Sequence, residues 1–302
     1  MFKMGYFLEV PRNLSVALAQ AVPLRSIDSV GELAAEVRAI CREHDGVQLV
    51  VFPEIHLHGA ADTATDTNAA LRDAAEPIDG PRGRALGEIA REHGVWLVPG
   101  SVSERGEGGS VHNTMPVYGP DGERVAAYRK VFPWRPYETW DPGAEFVVAD
   151  LPGLGRAGLS ICYDSWFPEA TRQLAWLGAE VVVNVVKTPG PDRAQELVLN
   201  RANAITNQVY VLSVNAAAPG GAGRSMVVGP EGDVRVESHD DRPTILADVV
   251  DLDQVARTRS AGTAGLNRMW DQMRPDDIAI DLPAYGGRID PDRWRPPPAA
   301  TD

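Results

Sequence analysis

The sequence predicts an α/β protein built from mixed sheets covered by helices. Two observations carry that prediction. Short apolar runs of strand type alternate with helical patterns along most of the 302 residues, and each half of the chain runs through strand–helix–strand crossovers and then into a hairpin. In order, Leu14–Gln20 is the first strand, and Ser29 caps a helix that runs to Glu43. Val47–Phe52 is a buried strand by its run of Val and Leu. Pro81–His93 is helical and stops at Gly94, and Val95–Ser101 follows as a strand. Asn113–Tyr118 and Arg124–Arg129 form a hairpin across Gly119-Pro120-Asp121-Gly122. The second half brings a strand at Ala157–Ile161, a helix at Pro168–Gly178, a strand at Glu180–Val186, a helix at Asp192–Asn207 and a strand at Val209–Val214. A second hairpin joins Met226–Val228 to Asp233–Glu237 through Gly229-Pro230-Glu231-Gly232. A strand at Ile245–Val250 precedes a helix from about Asp253.

Residues 1–281 read as one domain. From Leu282 the composition turns to Pro, Gly and Arg, which suits an extended arm better than a second core. Ala60–Ala75 is small and polar and reads as a loop over a site. The net charge is −13, which disfavours nucleic acid and anionic membranes, since phosphate binding needs clustered Lys and Arg. Met1–Asn13 lacks a signal-peptide core, and no stretch reaches the roughly 18 apolar residues of a membrane span. Two cysteines make no disulfide framework. Both are expected as free thiols in a cytoplasmic protein, with Cys41 filling space on an amphipathic helix.

Chemistry is expected where strands end, because ligands in α/β sheets gather beyond the carboxyl ends of strands. Glu54 ends the run Leu49-Val50-Val51-Phe52-Pro53, Lys130 ends Val125–Arg129, and Cys162 ends Ala157–Ile161 just before a Pro-Glu helix start. Any one of them alone would be read as packing or solvated surface. Together they offer a nucleophilic thiol, a carboxylate to move its proton, and an ammonium for an oxyanion. The Tyr163 N–H, at a helix start, is the natural second oxyanion donor. Trp134, Tyr137, Trp140 and Trp166 are expected to wall a small dry pocket, with His58 lining it and Lys187 on its rim. His56 and His58 flank Leu57, but no further Cys or His stands in a matching pattern, so no metal is expected. His112 is expected in a structural role. Pro219-Gly220-Gly221-Ala222-Gly223 lacks the Lys-Ser/Thr ending of a phosphate loop.

Phe52-Pro53-Glu54, Tyr128-Arg129-Lys130 and Cys162-Tyr163-Asp164 with Phe167-Pro168-Glu169 resemble the Glu-Lys-Cys signature of the nitrilase superfamily of carbon–nitrogen hydrolases. The resemblance spans about Leu14 to Arg274, with Pro142-Gly143, the 207–215 strand region and the Gly229–Gly232 turn also matching. It implies a four-layer α-β-β-α sandwich, with Cys162 as nucleophile, Glu54 as general base and Lys130 as oxyanion stabiliser. Glu138 matches a second glutamate that orients Lys130 or the substrate. It further implies homo-oligomers, no cofactor, no metal and a small amide substrate. Tyr163-Asp164 after the cysteine, the stretch from Tyr128 through Gly143 and a helix over Asp253–Met273 are similar to aliphatic amidases and formamidases. The Cys162–Glu169 segment also resembles N-carbamoyl amide hydrolases, so a carbamoyl substrate is the alternative. A nitrile substrate and a non-catalytic member stand behind it. Thr206 departs from the pattern, where many members place a glutamate.

Overall fold

The computed structural model describes residues 11–26, 28–282 and 287–289. The first half comprises β1 (Asn13–Gln20), α1 (Ser29–Glu43), β2 (Leu49–Val51), α2 (Thr67–Asp73), α3 (Pro81–His93), β3 (Trp96–Val98), β4 (Val102–Arg105), β5 (Val111–Tyr118) and β6 (Arg124–Arg129). The second comprises β7 (Val148–Leu151), β8 (Gly155–Ile161), α4 (Pro168–Trp176), β9 (Val181–Val186), α5 (Arg193–Asn207), β10 (Tyr210–Asn215), β11 (Met226–Val228), β12 (Val234–Glu237), β13 (Thr244–Asp251) and α6 (Asp253–Ala261). A short ladder of β14 (Ile280–Leu282) and β15 (Gly287–Ile289) follows.

One sheet has the order β13-β1-β2-β3-β5-β4, with β6 also on β5, and the other β12-β11-β10-β9-β8-β7. Each centres on three parallel strands, β1-β2-β3 and β8-β9-β10, with antiparallel strands at the flanks. The middle strands β2, β3 and β9 are buried along their length, which explains their apolar runs. Alternate residues of each sheet then divide between a shared core and an outer one. Val16, Leu18, Leu49, Val51, Val98, Met115 and Tyr128 face Leu159, Ile161, Val183, Val185, Leu212 and Val214 between the sheets. Ala17, Ala19, Val50, Phe52 and Leu97 point outward against Leu33, Val37 and Ile40 of α1 and Leu86, Ile89 and Ala90 of α3. Val182, Val211 and Val228 do the same against Leu174, Ala175, Leu197 and Ala204 of α4 and α5. The result is the four-layer α-β-β-α sandwich. Gln20, fully buried, fastens the layers: its Oε1 accepts the Ser225 N–H at 2.9 Å, while Nε2 donates to Ser238 and to two carbonyls.

Several elements differ from the sequence expectation. The cap of α1 is Asp28, whose carboxylate accepts the Gly31 N–H, rather than Ser29. The stretch 60–75 is not a bare loop. A 3-10 turn over His56–Thr63 is followed by α2, and Leu71 is buried against Ile55, Val111 and Trp140. The short strands β4 and β7 carry too little alternation to be read from sequence. α6 ends at Ala261, where Gly262 takes φ +75° and breaks the helix expected to reach Met273. Of the arm expected from Leu282 on, Leu282 and 287–289 pair as the β14-β15 ladder; the rest lies outside the described residues.

Candidate active site

Glu54 follows β2, Lys130 follows β6 and Cys162 follows β8, so residues far apart in sequence converge at one end of the facing sheets. Lys130 is buried (1% exposed), and its Nζ lies 3.0 Å from Glu54 Oε1 and 2.9 Å from both carboxylate oxygens of Glu138. Burial alone would pull the Lys130 ammonium down, but the charges of Glu54 and Glu138, joined by Cys162 when it is ionised, outweigh it and hold the group well above its ordinary value. Glu54 is held from three sides. Oε1 also accepts Asn113 Nδ2 at 2.8 Å, and Oε2 accepts the Lys187 N–H at 3.0 Å. Glu138 reaches back to accept the Trp134 N–H at 2.7 Å, which closes its loop onto Lys130.

Cys162 opens a single 3-10 turn, Cys162–Trp166, and sits at φ +50°. That left-handed conformation costs a non-glycine residue about 1 kcal/mol or more and turns the side chain off the strand direction. The residue is partly accessible. Burial of the sulfur pushes the thiol well above its usual range, with Glu54 adding to the rise and Lys130 opposing it. The turn is tied to its neighbours by Asp164. Oδ2 accepts the Ile161 N–H at 2.9 Å and the Tyr128 hydroxyl at 2.8 Å, and Oδ1 accepts the Phe132 N–H at 2.9 Å. Burial pushes this carboxyl up to about 6.

The remaining expected site residues separate into groups. Tyr163 and Trp166 pack on the cysteine turn, with ring centroids 6.0 Å apart, and Phe167 stacks on Phe132 at 3.8 Å. Trp134 and Tyr137 pair at 4.4 Å on the outside of the Glu138 loop, 42% and 64% exposed. Trp140 is not in that wall; it is buried in the cluster of Ile55, Leu71 and Val111. Lys187 lies beyond β9, and its ammonium is paired with Asp62. His58 turns away from the Glu54–Lys130 cluster: its buried Nε2 accepts the Ser103 N–H at 3.2 Å and meets Arg82 at 3.3 Å. Desolvation, then Arg82 and Lys187, lower it to about 3, so the ring is neutral. His56 Nε2 pairs with Glu36 at 2.8 Å, so the two histidines diverge. His112 bonds to the Asp141 carbonyl and Ser110.

Sequence reasoning missed Asn113, Asp164 and Glu196, and placed Thr188 only in the run Lys187-Thr188-Pro189-Gly190 on the rim of the site. The Asp164 signal was available in Cys162-Tyr163-Asp164, where a carboxylate two residues into a turn can accept the N–H of the preceding strand end. Asn113 and Thr188 become significant only when strands are placed side by side. Glu196 reads as an ordinary helix residue until α5 is docked.

This arrangement can support thiol-based attack on a polarised carbon; the comparisons agree with the fold and with hydrolysis of carbon–nitrogen bonds in general. The sequence profile of the carbon–nitrogen hydrolase family matches residues 15–260, and the chain belongs to that family, within the amidase-like part of the nitrilase superfamily. It is an amidase-type hydrolase. A formamidase of Bacillus cereus (strain B4264) is 29% identical over 229 residues, covering 72% of this chain and 68% of the relative. Nit3 of Saccharomyces cerevisiae, a member of branch 10 of the nitrilase superfamily, superposes with a TM-score of 0.72 at 25% identity, over 83% of this chain and 94% of that one. A variant of the amidase from Nesterenkonia sp. AN1 holding butyramide superposes at 0.65 with 26% identity, over 83% and 95%. Another variant of that amidase carries the acetamide moiety of fluoroacetamide covalently on its active-site cysteine, and superposes at 0.64.

Proposed function

We propose that the protein hydrolyses a small carboxylic amide to the acid and ammonia through a thioester on Cys162. The observation that carries this is the buried Lys130 ammonium, bonded at once to Glu54 (3.0 Å) and Glu138 (2.9 Å) within electrostatic reach of a thiol at a left-handed turn. A cation so placed is compensated by two carboxylates until a new negative charge forms beside it.

In the first half-reaction Glu54 takes the thiol proton, using the lone pair of Oε2 not occupied by Lys187 N–H, and the sulfur bonds to the amide carbon. The oxyanion is held by Lys130 and the Tyr163 N–H. Glu54 then delivers its proton to nitrogen, the carbon–nitrogen bond breaks, and ammonia leaves the thioester. In the second half, water gives a proton to Glu54 and adds to the thioester carbon; the carbon–sulfur bond breaks, the proton returns to sulfur and the acid departs. Glu138 holds Lys130 in place. No cofactor or metal enters these steps. The formamidase relative and the butyramide-bound amidase support an acyl group of about one to four carbons.

The test is ammonia release from formamide, acetamide, propionamide and butyramide, with the Cys162→Ala protein as blank. Release by the parent and none by the variant is expected, with unchanged thermal unfolding. Equal release by both would refute the thioester. Release of carbon dioxide from N-carbamoyl amines, with inert simple amides, would move the substrate to the carbamoyl class.

A further inference from the structure

Through Thr188, the residue after Lys187, a second buried network reaches the Cys162 sulfur, and the steps above make no use of it. Thr188 follows β9 and is immobilised by Asn215. Its N–H donates to Asn215 Oδ1 at 2.9 Å, and its carbonyl accepts Asn215 Nδ2 at 3.1 Å and the Ala222 N–H at 2.8 Å. Its hydroxyl donates to Glu196 Oε1 at 2.8 Å, and its Oγ1 lies 3.7 Å from Cys162 Sγ. Glu196 Oε2 accepts Arg193 Nη1 at 3.0 Å. Arg193 is pinned in turn by Gly223 O, Arg224 O and the Ser213 hydroxyl. Thr188, Glu196 and Arg193 are 5%, 2% and 2% exposed.

A hydroxyl has one hydrogen. With Glu196 ionised against Arg193, that hydrogen is committed to the carboxylate, and Thr188 presents only lone pairs to the sulfur. We propose that Thr188, so oriented by Glu196, accepts the Cys162 S–H and is the positioning residue that keeps this thiol aimed and protonated while the site is without substrate. The importance of that state for turnover rests on the thioester reading; the hydrogen bond itself does not. The charged groups around the sulfur are Glu54 beyond β2, Lys130 beyond β6, Glu138 on its loop, and Glu196 and Arg193 on α5. Three carboxylates against two cations leave a net negative surround, which agrees with a protonated resting thiol. When Glu54 removes the proton, Thr188 has no hydrogen to offer the thiolate, so the sulfur keeps its electron density for the carbonyl carbon.

Infrared spectroscopy of the S–H stretch tests this without reference to activity. Cys41→Ala leaves a single thiol. In that background at pH 7 the band is expected below the free-thiol position, to rise toward it in Thr188→Val, and to stay low in Thr188→Ser. Glu196→Gln leaves no cavity and reverses the relay. Arg193 can only donate, so the new amide turns its oxygen to Arg193 and its NH2 to Thr188, freeing the hydroxyl hydrogen for sulfur. That variant should also lose the low band. Its iodoacetamide labelling midpoint should fall by about one pH unit, and the fall should be smaller when Glu196→Gln is made in Thr188→Val, where only the charge of Glu196 is removed. A free-thiol band in the Cys41→Ala parent, no S–H band at pH 7, a band indifferent to Thr188→Val or Glu196→Gln, or an equal labelling shift with and without the hydroxyl would each overturn the proposal. A labelling shift independent of Thr188 would mean that Glu196 acts on the sulfur only through its charge.

Discussion

Asp164 Oδ2 lies 2.8 Å from the Tyr128 hydroxyl, joining the turn that carries Cys162 to the strand that ends at Lys130. Tyr128 is fully buried between the sheets, so this bond sets the spacing of sulfur and ammonium from within the core. The Asp164–Phe132 bond repeats the link from the other carboxylate oxygen.

Replacing Asp164 by Asn tests that linkage. The carboxylate accepts three donors, and an amide cannot accept them all, because its NH2 must face one of them. We expect a loss of about 1–3 kcal/mol in urea unfolding and a fall in kcat larger than any rise in KM, since the aim of the sulfur is disturbed more than access. Unaltered kcat would show that the turn holds its position without this carboxylate.

His58 predicts an acid-side loss of stability. Its pKa is lowered to about 3 in the fold from an ordinary 6.5, because burial disfavours the charged ring and the Arg82 guanidinium and Lys187 ammonium repel it; a proton on Nε2 would also face the Ser103 N–H. The folded state therefore resists a proton that the unfolded chain takes up. This contribution is full above about pH 6.5 and declines steadily as the pH falls toward 3. His58→Gln keeps an acceptor without the titration. Melting temperatures from pH 7 to 4 should fall less steeply in the variant than in the parent, and parallel curves would refute the assignment.

Lys130→Met should lower kcat at least about 100-fold and also cost stability, since buried Glu54 and half-buried Glu138 would stand close together without their cation. Lys130→Met and Glu54→Gln together should unfold at higher temperature than Lys130→Met alone while remaining inactive. Full amide turnover by Lys130→Met would make the lysine purely structural.

Lys187 contributes to Glu54 through its backbone N–H, and its ammonium pairs with Asp62 at the edge of the site. Lys187→Ala should thus leave kcat within a few-fold and shift stability by less than about 1 kcal/mol, as for other partly exposed pairs. KM is the parameter expected to move. A collapse of kcat would give the ammonium a part in the chemistry itself.

Much of the fold could be read in advance because its signals are local. The bounds of α3 are printed in Pro81 and in Gly94, which takes φ +62°. Among the parallel strands β9 announces itself by Val181-Val182-Val183, and both hairpins do so by Gly-Pro-Asp-Gly and Gly-Pro-Glu-Gly. β4 and β7 were hidden because four residues are too few to establish a period in sequence. Trp140 was misplaced because an aromatic close in sequence to Glu138 faces a different core.

By itself the sequence determined the alternation of strands and helices and the three strand-end residues Glu54, Lys130 and Cys162, because backbone preference and hydrophobic period act between near neighbours. Only the tertiary structure decided that Lys130 lies between two carboxylates, that Asp164 binds Tyr128, and that Thr188 and Glu196 stand behind the sulfur. Those contacts span 8 to 76 residues of chain. They exist only because two sheets pack face to face and bring loop ends within hydrogen-bond range, a distance that no local pattern encodes.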